Sequence, residues 1–132
     1  MVPIKQEIDY LRNFIELQQA RSSERLRLQV DFDEHLNGEQ VYPLLFLPLI
    51  ENAFKYVGGN YHLSIRLQKE NDNILLEVCN SLPEHLPVKK IATGIGIENL
   101  RRRLALLYPG KHQLSCRRNN DNYTASLNLL LS

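Results

Sequence analysis

Pro43-Leu44-Leu45-Phe46-Leu47-Pro48-Leu49-Ile50-Glu51-Asn52-Ala53-Phe54-Lys55-Tyr56 is a strongly apolar run that ends in three polar side chains. A helix carrying so many apolar residues is expected to bury a face. Glu51, Asn52 and Lys55 resist burial unless they find partners. Asn52 and Lys55 stand three apart, so on a helix they are neighbours and can address one ligand. A carboxamide oxygen suits a hard cation such as Mg²⁺, and a lysine suits phosphate. This chemistry points to a nucleotide-phosphate site. The plainer alternative is a helix boundary whose polar residues face water.

A second segment, Ala92-Thr93-Gly94-Ile95-Gly96-Ile97-Glu98-Asn99-Leu100-Arg101-Arg102-Arg103-Leu104, places two glycines just ahead of an amphipathic helix. Glycine lets the backbone come close to a ligand, and a helix N-terminus offers unpaired N–H groups to phosphate. Gly-x-Gly before a helix is common, so alone it says little. The full Gly-x-Gly-x-x-Gly dinucleotide fingerprint and the Gly-x-x-x-x-Gly-Lys-Ser/Thr phosphate loop are both absent from the sequence.

The two segments in this order resemble the ATP-binding catalytic domain of sensor histidine kinases, of the LytS/YehU-like branch. Pro48-Leu49-Ile50-Glu51-Asn52-Ala53-Phe54-Lys55-Tyr56 is similar to that family's N box, and Gly94 through Leu104, with Asn99 and Arg103, to its second glycine box. Leu107-Tyr108-Pro109-Gly110 also fits the branch, as does the front segment from Glu7 through Ile15, Leu17 and Gln18 to Arg21.

The resemblance implies an α/β two-layer sandwich of the Bergerat (GHKL) type, with helices on one face of a mixed, mainly antiparallel sheet. Residues 1–28 would be the C-terminal part of a linker and dimerisation helix. Residues 29–132 would form the ATP-binding domain, with an ATP lid at about 81–95. It implies roles for Asn52 as the Mg²⁺ ligand, Lys55 on the phosphates and Glu51 near a metal-bound water or the incoming histidine. Tyr56, Asn80, Gly94, Ile95, Gly96, Ile97, Asn99 and Arg103 would complete the ATP site, Arg103 reaching a phosphate or holding the base of the lid.

One place departs from the family pattern. The first glycine box usually offers an aspartate to the adenine amino group, followed by glycines. Here Val78-Cys79-Asn80-Ser81-Leu82 stands at that position. A carboxamide oxygen can still accept a hydrogen bond from an amino group, without the strength an ionised acceptor brings. That departure motivates a competing expectation, a degenerate, non-catalytic Bergerat module for dimerisation or partner docking. Hydrolytic relatives of the gyrase and mismatch-repair type place a glutamate four residues before the magnesium asparagine. Pro48 occupies that position, which favours phosphoryl transfer over hydrolysis.

By resemblance, the γ-phosphoryl of Mg²⁺-bound ATP goes to a histidine upstream of Met1 and onward to a cognate response regulator. The full-length protein is expected to be a homodimer anchored in a bacterial inner membrane, with this part in the cytoplasm. None of His35, His62, His85 and His112 has a phosphoacceptor setting, so the isolated chain is expected to bind ATP without phosphorylating itself.

Composition agrees with these limits. One hundred and thirty-two residues suit one domain with one core. A formal net charge of +1 gives no reason to expect a nucleic-acid partner. The pairing Arg117-Arg118 and the run Arg101-Arg102-Arg103 read as solvated faces. Cys79 and Cys116 lack Cys-x-x-Cys spacing and the histidines have no metal-ligand rhythm, so reduced thiols and no zinc are expected. No signal peptide or membrane-spanning run is seen in the chain.

Apolar spacing predicts a front helix from Pro3 to about Leu28, long enough to extend from the domain, with a strand alternating through Leu26, Leu28, Val30 and Phe32. A helix is expected at about 42–56, delayed or kinked by Pro48, and another from Gly96 or Ile97 to Tyr108. Hairpins are expected at 62–80, turning at Asn71-Asp72-Asn73, and at 113–131, turning at Asn119-Asn120-Asp121-Asn122.

Overall fold

The computed structural model describes residues 1–36, 38–83 and 95–131, Ile95 by its backbone alone. Expectations placed on residues 84–94, most of the lid and Gly94 among them, lie outside the described residues. The elements are β1 (Val2–Pro3), α1 (Ile4–Arg21), β2 (Arg27–Phe32), β3 (Gln40–Val41), α2 (Leu47–Tyr56), β4 (His62–Glu70), β5 (Asn73–Ser81), α3 (Ile95–Leu107), β6 (His112–Asn119) and β7 (Asn122–Leu130).

Five strands form one sheet in the order β2-β4-β5-β7-β6. Among the described strands only β2 and β4 run parallel, with Leu28 opposite Leu63 and Val30 opposite Ile65. The other pairs are antiparallel, including the β4–β5 and β6–β7 hairpins. The turn tips carry Asn71 at φ 55° and Asn120 at φ 53°, the left-handed backbone that asparagine tolerates better than most residues. This is the mixed, mainly antiparallel sheet that the resemblance implies.

Period-two alternation sends Leu63, Ile65 and Leu67 of β4, Ile74, Leu76 and Val78 of β5, and Ala125, Leu127 and Leu129 of β7 into the core. The three described helices cover that face with Ile4, Ile8, Leu11 and Ile15 of α1, Leu49, Ile50 and Ala53 of α2, and Ile97, Leu100 and Leu104 of α3. Each large aliphatic side chain buried this way contributes about 1.5–3 kcal/mol relative to exposure. The opposite face keeps Arg27, Gln29, Asp31, Arg66 and Glu77 exposed.

The front helix differs from expectation in two respects. It ends at Arg21, well before Leu28, which lies in β2. It also docks along the domain, its stripe Ile4, Ile8, Leu11, Ile15 being part of the single core. Its start is pinned by β1, which pairs with β3, and by the Ile4 N–H donating to the Glu39 carbonyl at 2.7 Å. These two-residue strands have no periodicity to betray them in sequence.

The second helix begins at Leu47, with Pro48 in its first turn. A proline inside the helix would lack an N–H and clash with the preceding turn, whereas the first turn needs no N–H from it. Residues 42–46 therefore form a bend, and Leu44 takes φ 63°.

Candidate functional site

Helix α2 builds the site through its two faces. Leu49, Ile50 and Ala53 face the core, so Pro48, Glu51, Asn52 and Lys55 fall on the outer side of a 3.6-residue period. Glu51 and Lys55 are exposed and Asn52 is half-buried. The ammonium of Lys55 lies 5.3 Å from the centre of the Tyr56 ring, a cation–π contact that keeps both at the helix's C-terminal end.

These side chains line a cleft of about 600 Å³, in the size range of small-molecule sites. Its described walls are Phe14 and Gln18 of α1, Pro48, Glu51, Asn52, Phe54, Lys55 and Tyr56 of α2, and Gly96 and Ile97 of α3. The first turn of α3 thus stands beside Asn52 and Lys55, where its backbone N–H groups, which have no intrahelical acceptor, add positive potential. The space around Gly96 is open, since a Cβ there would meet nothing within 4 Å. Phe14 and Phe54 meet edge-to-face with centroids 6.2 Å apart, joining α1 to α2 at the rim.

The bend that leads into α2 is gripped from both neighbouring helices. The guanidinium of Arg103 on α3 donates to the Pro43 carbonyl at 2.6 Å and to the Leu44 carbonyl at 2.9 Å. Glu7 on α1 is 4% exposed, and its Oε2 accepts from the Leu44 N–H at 3.3 Å. A leucine held at positive φ costs free energy that such contacts must offset. Arg103 thereby sets where α2 starts, and with it the height of Asn52 and Lys55. It is not among the cleft-lining residues, nor is the exposed Asn99.

Asn80 sits at the end of β5, 1% exposed, and its amide nitrogen donates to the Ser81 carbonyl at 3.2 Å. Ser81 explains part of the unusual first glycine box. Its hydroxyl donates to the Gly58 carbonyl at 2.6 Å and accepts from the His62 N–H at 2.8 Å. The Gly58 N–H donates back to the Ser81 carbonyl at 3.0 Å. The loop after α2 is thus fastened to the end of β5. Glycine is required there, because a Cβ on Gly59, at φ 59°, would lie 2.6 Å from the Leu82 carbonyl oxygen.

The structure therefore gathers Glu51, Asn52, Lys55, Tyr56, Gly96 and Ile97 in one cleft. Ile95 opens α3 beside them. Asn80 lies buried outside that lining, and Gly94 is outside the described residues. Phe14 and Gln18 line the cleft without a sequence signal of their own, although Gln18 continues the apolar stripe of α1. Among the described residues no group of three or more His, Cys, Asp or Glu could hold a metal, and both cysteines are free. No described helix is long and apolar enough to cross a membrane.

No protein-family profile matches the chain. Sensor histidine kinase BtsS of Escherichia coli (strain K12) is 23% identical over 127 residues, covering 93% of this chain and 22% of that protein. Sensor protein LytS of Enterococcus faecalis (strain ATCC 700802 / V583) is 26% identical over 122 residues, covering 81% and 21%. The chain thus spans about a fifth of the length of these relatives. Among solved structures, the catalytic domain of histidine kinase ThkA superposes with a TM-score of 0.72 at 13% identity, over 98% of this chain and 94% of that one. The Acinetobacter baumannii histidine kinase AdeS superposes with a TM-score of 0.69 at 15% identity, over 98% and 66%. The fold is that of histidine kinase catalytic domains. The resemblance to sensor histidine kinases read from the two boxes holds among the curated relatives and among the solved structures.

Proposed function

We propose that this chain is the ATP-binding catalytic domain of a two-component sensor histidine kinase, which passes the γ-phosphoryl of ATP to a histidine outside the chain. The observation that carries the reading is the shared cleft of Asn52, Lys55, Glu51 and the first turn of α3. Phosphoryl transfer asks chiefly for positioning and charge neutralisation, and a carboxamide, a lysine and helix N–H groups are suited to that.

The donor set fits a magnesium ion. Mg²⁺ takes few protein ligands and keeps several waters, so the Asn52 oxygen beside the phosphates suffices. When bound, the ion neutralises charge on the phosphate oxygens. Lys55 steadies the phosphates as a point charge, held at the helix end by Tyr56. Glu51, exposed on the same face, orients the acceptor imidazole or a water. Gly94, Ile95, Gly96 and Ile97 bring backbone to the triphosphate. Asn80 meets the adenine amino group through its carboxamide oxygen, its nitrogen being engaged with Ser81. Asn99 and Arg103 serve from α3, Arg103 by fixing the entry to α2.

The linker from the phosphoacceptor helices enters the domain through α1, whose apolar stripe is part of the core, and residues at about 81–95 supply the lid. The partners are those helices, a second copy of the full-length protein and a cognate response regulator, in a protein anchored in the bacterial inner membrane. Incubation of the full-length protein with γ-labelled ATP tests the reading. Label on the upstream histidine that disappears in Asn52→Ala, with the fold intact, is the expected result; undiminished label would overturn it. The chain alone should show neither stable label nor steady ATP turnover.

A further inference from the structure

The buried stripe of α1 runs Ile4, Glu7, Ile8, Leu11, Ile15, and the helical period carries it on to Gln18. Two members of that stripe are polar. Glu7 has its reason, since it accepts from the Leu44 N–H. Gln18 has none among the described residues. It is half-buried, its carboxamide makes no hydrogen bond among the described residues, and it lines the same cleft as Asn52 and Lys55. A carboxamide offers two N–H donors and two acceptor lone pairs, and desolvating it without partners is unfavourable.

The helix is fixed around this side chain. Phe14, one turn earlier on the same face, is locked edge-to-face against Phe54 of α2. The Ser22 hydroxyl donates to the Gln18 carbonyl at 2.6 Å, fastening the last turn. The amide is therefore presented to the cleft by a wall that does not need to reorganise. Asn80, the residue assigned to the base, is not part of this lining, whereas Asn52 and Lys55, assigned to the metal and the phosphates, are.

We infer that Gln18 is a ligand-contacting residue of the nucleotide site, its carboxamide N–H donating to an oxygen of the terminal phosphate. The inference rests on the ATP-binding reading and deepens it. The terminal phosphate is the group that ATP has and ADP lacks, so a contact to it is read from the difference between the two nucleotides. The N–H of a neutral carboxamide suits an ionised phosphate oxygen, since hydrogen bonds to charged acceptors are the stronger ones.

The test is equilibrium titration of the chain and of Gln18→Ala and Gln18→Glu with ATP and ADP, each with Mg²⁺, alongside thermal unfolding. Loss of one hydrogen bond to an ionised acceptor predicts about a tenfold weaker ATP affinity in Gln18→Ala. ADP affinity should change less than about twofold, giving a shifted ATP/ADP ratio that a merely structural change would not produce. Gln18→Glu keeps the size of the side chain and places a carboxylate against the phosphate, so it should weaken ATP further. ATP binding with an unaltered ATP/ADP ratio in both variants overturns this inference alone. No ATP binding by the unchanged, folded chain overturns it together with the reading beneath it.

Discussion

Ser81→Ala tests how the domain tolerates the absence of the usual glycines after β5. The Ser81 side chain is 2% exposed, and its hydroxyl bridges the Gly58 carbonyl at 2.6 Å and the His62 N–H at 2.8 Å. The Gly58 carbonyl also accepts from the Tyr61 N–H at 2.9 Å, so it keeps a partner when the hydroxyl is removed. The His62 N–H does not. An unsatisfied donor costs about 1–3 kcal/mol and the lost bond to Gly58 about 0.5–1.5 kcal/mol. Entry of a water would lower the first figure, because Ser81 also borders an open polar basin with Asn60 and Asn122. A net loss of about 2 kcal/mol is expected. In urea it would move the unfolding midpoint by about 1 M at an unchanged slope. Ser81→Thr, which keeps the hydroxyl, should lose less than Ser81→Ala. A change below about 0.5 kcal/mol in Ser81→Ala would refute the idea that this hydroxyl ties β5 to the loop after α2.

Three other substitutions follow from the same kind of contact. Arg103→Ala removes both donors to the bend at 43–44 and should cost about 1–2 kcal/mol in denaturant titration, with Arg103→Lys recovering little because it cannot fork to two carbonyls. Gly59→Ala combines a positive φ with a Cβ only 2.6 Å from a backbone oxygen, and should destabilise by about 2–4 kcal/mol by the same measurement. Asp33 accepts from the Lys69 N–H at 3.0 Å and the His35 N–H at 2.9 Å, and these bonds lower its pKa from 3.8, chiefly the one to Lys69. Its folded pKa lies below the unfolded value, so its contribution is full above that value and fades as pH falls through the folded one. Stability measured against pH in the acid range should be flatter in Asp33→Asn than in the parent chain.

Much of the fold is legible in the sequence where apolar periodicity is strong. Leu63-x-Ile65-x-Leu67 and Ile74-x-Leu76-x-Val78 declare their strands, whereas Val2–Pro3 and Gln40–Val41 are too short to show any period. Spacing alone extends α1 too far, because Leu26 and Leu28 fit a helical and a strand pattern equally well. Pairing with β4 decides in favour of the strand from Arg27 onward. Pro48 announces a disturbed helix without saying where the helix begins; the answer lies in Arg103 and Glu7, distant in sequence, which hold the bend before it.

The site divides in the same way. Asn52 and Lys55 are near neighbours in sequence, and helical geometry alone places them together. Gly96 and Ile97 join them only through the packing of α3 against α2, which no local pattern specifies. Gln18 is hidden because a glutamine near a helix end usually faces water, and its place in the buried stripe becomes telling only when α1 is seen docked against α2. In sequence Ser81 is merely part of a departure from a nucleotide motif. Its hydroxyl holds two chain segments together, a role that only the fold reveals.

The central claim is that Asn52 and Lys55 form the phosphate end of a magnesium-dependent ATP site. Calorimetric titration of the folded chain with ATP, with and without Mg²⁺ and in Asn52→Ala, tests it most directly. The account predicts binding that needs Mg²⁺ and is lost in Asn52→Ala while the fold is kept. Absence of ATP binding by the unchanged chain, or binding indifferent to both the metal and Asn52, would contradict it.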